Sequence, residues 1–231
     1  MKPLDWERNW RGGGIVFAVL LIVASVIYGN NSQPKVGASA EKLVSFYDGD
    51  RTRILIATVV FLFSFLELLW FGAALSSVLR DAGMGGWAAA ATASSTAMAG
   101  VLFVRMAIRA ALAFSIAGSG FDQLTSGLSD LGYVLTVILA FPAAMFVMSG
   151  AFGLWRAGVI SKRFFSVGVA AVVLVLLGGT TWAASGFWAP DGAYAFVAQF
   201  VTIAWIAVIS AFLVRRPVKV SAHAAAAVPV A

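Results

Sequence analysis

The sequence contains no cysteine and a single histidine, His223, near the end of the chain. The lack of cysteine excludes disulfides, thiolate nucleophiles and thiolate metal ligands. The lack of histidine in any apolar segment excludes bis-histidine haem, a histidine-based intramembrane protease and most zinc enzymes. We therefore expect no catalytic residue, no metal site and no cofactor. An enzyme would have to draw its reactive groups from a loop such as 47–51 (YDGDR).

Charge is also scarce, because only 11% of the 231 residues are charged whereas 61% are hydrophobic and the mean hydropathy is +0.93. These values are typical of a polytopic membrane protein. The net charge of +6 does not indicate a nucleic-acid partner, since the basic residues form short clusters between apolar segments. The partners expected are membrane lipids and either another membrane protein or a second copy of the chain.

Six apolar segments predict an all-α bundle of six transmembrane helices. A span of about 20 residues crosses a hydrocarbon core of about 30 Å, and the segments are long enough for this. The spans are expected at about 12–29, 54–79, 87–118, 131–155, 164–186 and 193–214. The third should tilt or project because of its length, and its alanine-rich first half should face other helices.

The remaining segments are short and polar. Residues 1–11 carry Trp6 and Trp10 four positions apart, which predicts an interfacial helix. The outer loop 30–53 contains a short amphipathic helix from Ala40 to Tyr47 that rests on the membrane or caps the bundle. The tail 215–231 should be disordered. Small residues at 38–40 leave open that the first span is a cleavable signal peptide.

The basic residues predict the orientation. With the N-terminus inside, the cytoplasmic side receives ten of them and the outer side four, all of these in loop 30–53. Lysine and arginine in short loops favour the cytoplasmic side. Both termini are therefore expected in the cytoplasm of a bacterial cell, with the protein in the plasma membrane.

Three charged residues lie inside the predicted spans, Glu67 in the second and Arg105 and Arg109 in the third. Glu67 and Arg105 lie at similar depths, counted at about 1.5 Å per residue. A charge at the bilayer centre costs about 3 kcal/mol or more, which favours a partner. We predict an interhelical Glu67–Arg105 pair, with Arg109 completing the cluster or reaching the outer headgroups. The pair either locks two helices together or leaves a spare positive charge that binds an anion from the outer side.

Further polar or irregular positions in the spans are Pro142, Gln199 and Thr202. Proline inside a helix removes one backbone hydrogen bond and should kink the fourth span. Gln199 and Thr202 are expected to hydrogen-bond between helices. All three are secondary candidates for a cavity wall.

Three segments carry a resemblance: GASAEKLVSFYDGDRTRI at 37–54, LELLWFGAALSSVLRDAG at 66–83 and FPAAMFVMSGAF at 141–152. In these segments and in the arrangement of its predicted spans, the chain resembles a group of uncharacterised six-span membrane proteins of high-GC Gram-positive bacteria. The resemblance implies an architecture and no activity.

Two functions are compatible with these features of the sequence. The first is a non-enzymatic scaffold or partner subunit. The second is a small carrier or binding protein for an anionic or amphipathic molecule, with Arg105, Arg109, Pro142 and Gln199 around a cavity. A cavity that reaches Arg105 from the outer side would favour the second function, and a sealed, packed interior would favour the first.

Overall fold

The computed structural model describes residues 3–29 and 32–216, and the regular elements in these residues are all helical. This confirms the predicted all-α class. The helices are α1 (Pro3–Tyr28), α2 (Ala40–Gly49), α3 (Arg51–Asp81), α4 (Gly85–Ala111), α5 (Asp122–Ile138), α6 (Ala140–Arg156), α7 (Lys162–Gly178) and α8 (Ala193–Val214).

Five helical stretches are long and apolar enough to cross a membrane, as expected of a polytopic membrane protein. They are Asn9–Tyr28, Arg51–Asp81, Gly85–Ser119, Asp122–Arg156 and Ala193–Val214. The last has the bounds predicted for the sixth span. Helix α7 has 17 residues, or about 26 Å, and is slightly shorter than a bilayer core of about 30 Å.

The segment 164–186 was predicted as one span, but α7 ends at Gly178. Glycine is a weak helix former, and the next residue is also glycine. The backbone N–H groups of Gly179, Thr180 and Thr181 then donate to carbonyls three residues back, those of Leu176, Leu177 and Gly178, so the four-residue bonding pattern of the α-helix ends there. The hydroxyls of Thr180 and Thr181 also donate to the carbonyls of Leu177 and Gly178, at 2.7 and 2.8 Å.

The fourth span begins earlier than predicted. The residues before 131 are helical from Asp122, whose carboxylate lies in the first turn, where the helix dipole favours negative charge. Helices α5 and α6 meet at Leu139, which itself has α-helical backbone angles. The interruption lies where Pro142 cannot donate a backbone hydrogen bond to Ile138, as expected of a proline inside a helix, and the kink itself stays a prediction.

Helix α4 continues as a π-helical turn (Leu112–Ile116) and a 3₁₀ turn (Ala117–Ser119) before Gly120. Gly120 has a φ of 81°, a left-handed conformation that favours glycine, and the segment ends there. Among the small residues in the first half of α4, Ala88, Ala91, Ser94 and Ser95 are buried. Ala89, Thr92, Ala93, Thr96 and Ala97 are exposed, so the prediction that this half faces other helices holds for one side of α4 only.

Six helices form a closed ring in which α1 packs on α3, α3 on α4, α4 on α6, α6 on α7, α7 on α8 and α8 on α1. Helix α1 approaches α8 closely at Gly14, where an added Cβ would lie 2.8 Å from the Cβ of Ser210. Helix α2 covers one end of the ring through the buried side chains of Leu43, Phe46 and Tyr47. The capping role predicted for this short helix is confirmed. We call this end of the molecule the α2 end.

Candidate functional site

A cavity of about 310 Å³ lies inside the ring of helices. It begins at the α2 end, where Lys35 and Asp191 line it, and continues inward to Met98 and Ile203. From Arg109 to Met98, α4 descends by 11 residues, or about 16 Å along the wall. The cavity thus extends about half-way through a bilayer core.

The polarity of the wall changes along this depth. Near the α2 end the wall contains charged, amide and phenol groups, namely Gln33, Lys35, Arg105, Arg109, Tyr133 and Asp191. Further in, it is mainly apolar, with Phe17, Phe65, Met98, Leu102, Ala143 and Ile203. A ligand with one polar and one apolar end would match this gradient.

Arg109 is 5% exposed and is held by two contacts at the polar end. Its Nη2 donates to Oε1 of Gln33 at 3.0 Å, and its guanidinium lies over the ring of Tyr28, 4.4 Å from the centroid. A cation over an aromatic face is stabilised by the ring quadrupole. Arg109 therefore has partners although neither of them is acidic.

Gln33 links this arginine to the fifth helix. Its Nε2 donates to the hydroxyl of Tyr133 at 3.2 Å, and that hydroxyl donates to the carbonyl of Pro34 at 2.6 Å. The chain of bonds fixes the loop that follows α1 against α4 and α5. The hydroxyl of Tyr133 thus both accepts and donates a hydrogen bond.

Two further tyrosines support the same region from outside the cavity wall. The hydroxyl of Tyr28 lies 3.4 Å from that of Tyr47, and the ring of Tyr47 packs edge-on against Phe46. Burial raises the pKa of the Tyr47 hydroxyl, so this residue of α2 stays neutral at physiological pH. The contact links the cap of the bundle to the partner of Arg109.

Arg105 lines the same cavity one helical turn deeper than Arg109. Its Nε is buried without a hydrogen-bond partner. Across residues 3–29 and 32–216, no carboxylate forms an ion pair with it. Arg105 is thus a cation that faces a cavity and that the described part of the chain does not neutralise.

The charges on the cavity wall have a positive sum. Lys35, Arg105 and Arg109 provide three cations and Asp191 one carboxylate, which gives a net charge of +2. The carboxylate of Asp191 accepts from the backbone N–H of Val36 at 3.2 Å and so holds together two loops at the α2 end. An anion is the complementary ligand for this wall.

The predicted pair between Glu67 and Arg105 is wrong. Glu67 is half-buried between α3 and α1, and its Oε2 would lie 3.2 Å from a Cβ added at Gly13. The cavity-facing residue of α3 at similar height is Phe65, two positions away. Two positions correspond to about 200° around a helix, so Glu67 points away from the cavity that Arg105 faces.

The secondary candidates divide into two groups. Gln199 and Thr202 line the cavity, whereas Pro142 does not. The hydroxyl of Thr202 donates to the carbonyl of Ala198 in its own helix at 3.0 Å, so the predicted bond to another helix is absent. Gln199 is exposed and lies on the part of the wall that α8 contributes.

Sequence reasoning overlooked Gln33, Tyr28 and Tyr133. One signal was available: all four tyrosines of the chain fall at or near the outer ends of predicted spans. The structure brings three of them, Tyr28, Tyr47 and Tyr133, together around Arg109. No group of three metal-ligating side chains occurs in the described ranges.

The geometry is thus that of a cavity in a membrane helix bundle, with a wall that carries a net positive charge toward the α2 end. No protein-family model, no curated protein and no solved structure matches this chain.

Proposed function

We propose that the protein binds a small anionic molecule in the cavity of its helix ring, and that Arg105 contacts the anion. The observation that carries this proposal is the guanidinium of Arg105, which faces the cavity without an acidic partner in the described residues. A desolvated charge inside a membrane is costly unless it is paired. An anionic group in the cavity would supply the missing partner through charge-assisted hydrogen bonds.

The alternative of a scaffold or partner subunit predicts a packed interior around the arginines. The cavity that reaches Arg105 and Arg109 supports a binding or carrier role instead. Arg109 supports it too, because Gln33 and Tyr28 are neutral partners and leave its positive charge in place. The resemblance to uncharacterised six-span bacterial proteins is compatible with either role.

We also infer six spans with both ends in the cytoplasm of a bacterial plasma membrane, which makes α7 the fifth span. Gly178, at the end of α7, lines the cavity beside Ala198 of α8, which lies six residues or about 9 Å inward from Gly192. Helix α7 starts after Arg156, at the opposite end, so it extends from that end past the middle of the ring. The basic residues Arg80, Arg156, Lys162 and Arg163 gather at that opposite end, as cytoplasmic loops do.

Binding can be measured by calorimetry on the full-length protein in amphipol, with inorganic phosphate and alkyl carboxylates as probes. Arg105→Gln should weaken the binding of the best probe by about 10-fold or more, because a hydrogen bond to a charged group is worth about 1.5–3 kcal/mol. Arg105→Lys should retain part of the affinity, since the charge remains. Arg80→Gln, an exposed position at the opposite end, removes the same charge without touching the cavity. Equal affinity of the wild type and Arg105→Gln would refute the proposal.

A further inference from the structure

We infer that the bound anion is a single-chain amphiphile, with its head group at Arg105 and its alkyl tail in the apolar part of the cavity. This inference rests on the proposed function and specifies the ligand class. It depends on three features of the wall: its polarity gradient, its depth and its volume.

The positive charges of the wall indicate where the anionic head group binds. Arg105 has a buried Nε without a hydrogen-bond partner, and Arg109 lies one turn above it. A carboxylate or phosphate between them would accept from Arg105 and remain close to the second positive charge. The shared chemistry is an anionic oxygen group, and phosphate and carboxylate heads are separate arms of the test below.

The apolar side chains below Arg105 indicate where the alkyl tail binds. Phe65, Met98 and Leu102 lie there and offer no hydrogen-bonding side-chain group, and the hydroxyls of Thr136 and Thr202 on the facing walls already donate to carbonyls of their own helices. A polar extension of the ligand would therefore find few free donors at this depth. An alkyl chain needs no such partner. The head would therefore sit toward the α2 end and the tail toward the middle of the bundle.

Three walls give the same depth for the whole cavity. The distance is 11 residues from Arg109 to Met98 on α4, 11 from Gly192 to Ile203 on α8, and 10 from Tyr133 to Ala143 across Leu139. Each corresponds to about 15–17 Å. The tail begins at Arg105, seven residues or about 10 Å above Met98, and an extended chain advances by about 1.2 Å per covalent bond, so the tail site accommodates about eight carbons.

The volume limits the number of tails. At about 310 Å³, the cavity lies at the low end of the range of about 300–1,000 Å³ for small-molecule sites. This favours one chain over the two chains of a phospholipid. The cavity also adjoins exposed residues of α8, Phe196 and Gln199, through which an amphiphile could enter from the bilayer.

The test is a chain-length series of alkyl carboxylates and alkyl phosphates from four to eighteen carbons, titrated into the full-length protein in amphipol. Affinity should rise by up to about fourfold per methylene, as expected for burial of each CH₂, and level off near eight carbons. Alkyl trimethylammonium ions of equal length should bind at least tenfold more weakly. Equal affinity for all lengths, or a preference for the cationic series, would overturn the inference.

Ala143→Phe should close the deep end of the site. Dodecyl probes should then lose at least tenfold in affinity, while butyl probes bind as to the wild type. Met145→Phe, on the same helix but exposed and outside the cavity wall, is the control. If Ala143→Phe does not fold, Ile203→Phe fills the same end. An unchanged length profile in the variant that folds would contradict the placement of the tail.

Different binding results would refute the proposed anion site and the proposed amphiphile. Short anions that bind through Arg105 without any gain from a longer chain would refute the amphiphile and leave the anion site intact. Failure of every anion to bind would refute the proposed function and this inference together.

Discussion

Replacement of Gln33 by alanine tests whether the polar end of the cavity is a built structure. Gln33 accepts from Arg109 at 3.0 Å and donates to Tyr133 at 3.2 Å. The substitution removes both bonds and deprives the buried Arg109 of its side-chain acceptor. Its neighbour Ser32 makes only a local, exposed bond to the carbonyl of Gly29 and provides the control.

The magnitude follows from the two bonds. A hydrogen bond to a charged group contributes about 1.5–3 kcal/mol and a neutral one about 0.5–1.5 kcal/mol, so Gln33→Ala should lower the free energy of unfolding by about 2–4 kcal/mol. For a protein of this size, 1 kcal/mol shifts the melting temperature by about 2–4 °C, which predicts a fall of roughly 4–16 °C. Ser32→Ala should cost about 0.5 kcal/mol or less.

The assay is thermal unfolding in detergent, followed by the fluorescence of the eight tryptophans. Gln33→Glu should melt above Gln33→Ala, because its carboxylate can still accept from Arg109 and adds an opposite charge. If Gln33→Ala melted within about 1 °C of Ser32→Ala, the network would contribute nothing measurable and the reasoning would be refuted.

Two other predictions concern topology and packing. Single cysteines can be introduced into this cysteine-free chain at the exposed positions Lys42, Lys162 and Ser185. In intact cells, a membrane-impermeant maleimide should label the cysteines at 42 and 185 but not the one at 162. Absence of labelling at 185 would mean that α7 does not cross the membrane. Gly14→Val should lower stability by about 1–3 kcal/mol, because its side chain would meet Ser210 and Ile206 of α8. Gly100→Val, which enters open space, should change it by about 0.5 kcal/mol or less, and equal melting of the two variants would contradict the close α1–α8 contact.

Hydropathy predicted those parts of the fold that depend on one helix at a time. The bounds of α8 and the interruption before Pro142 follow from local composition and from a missing backbone donor. The end of α7 was misplaced because hydropathy does not register the glycine pair Gly178–Gly179, after which the backbone hydrogen bonds span three residues and no longer four.

The site was predicted only in part, because depth along a helix does not give direction around it. Counting residues placed Glu67 and Arg105 at one height, but their side chains face different sides of the ring. The roles of the arginines were also exchanged: Arg105 was expected to be paired and Arg109 to be spare, whereas Arg109 has the neutral partners and Arg105 lacks one in the described chain. Gln33 could not be found locally, since its partners lie 76 and 100 positions away.

These separations have a consequence for synthesis of the protein. The acceptor for Arg109 emerges early, but Tyr133 follows about a hundred residues later, and the wall that α8 contributes is made last of all. Until α8 is inserted, the ring is open on the side between α7 and α1, and Arg105 faces the lipid of the nascent bundle. Completion of the C-terminal helix is therefore the step that turns a groove into a binding cavity, and a chain truncated before residue 193 would retain both arginines without the enclosure around them.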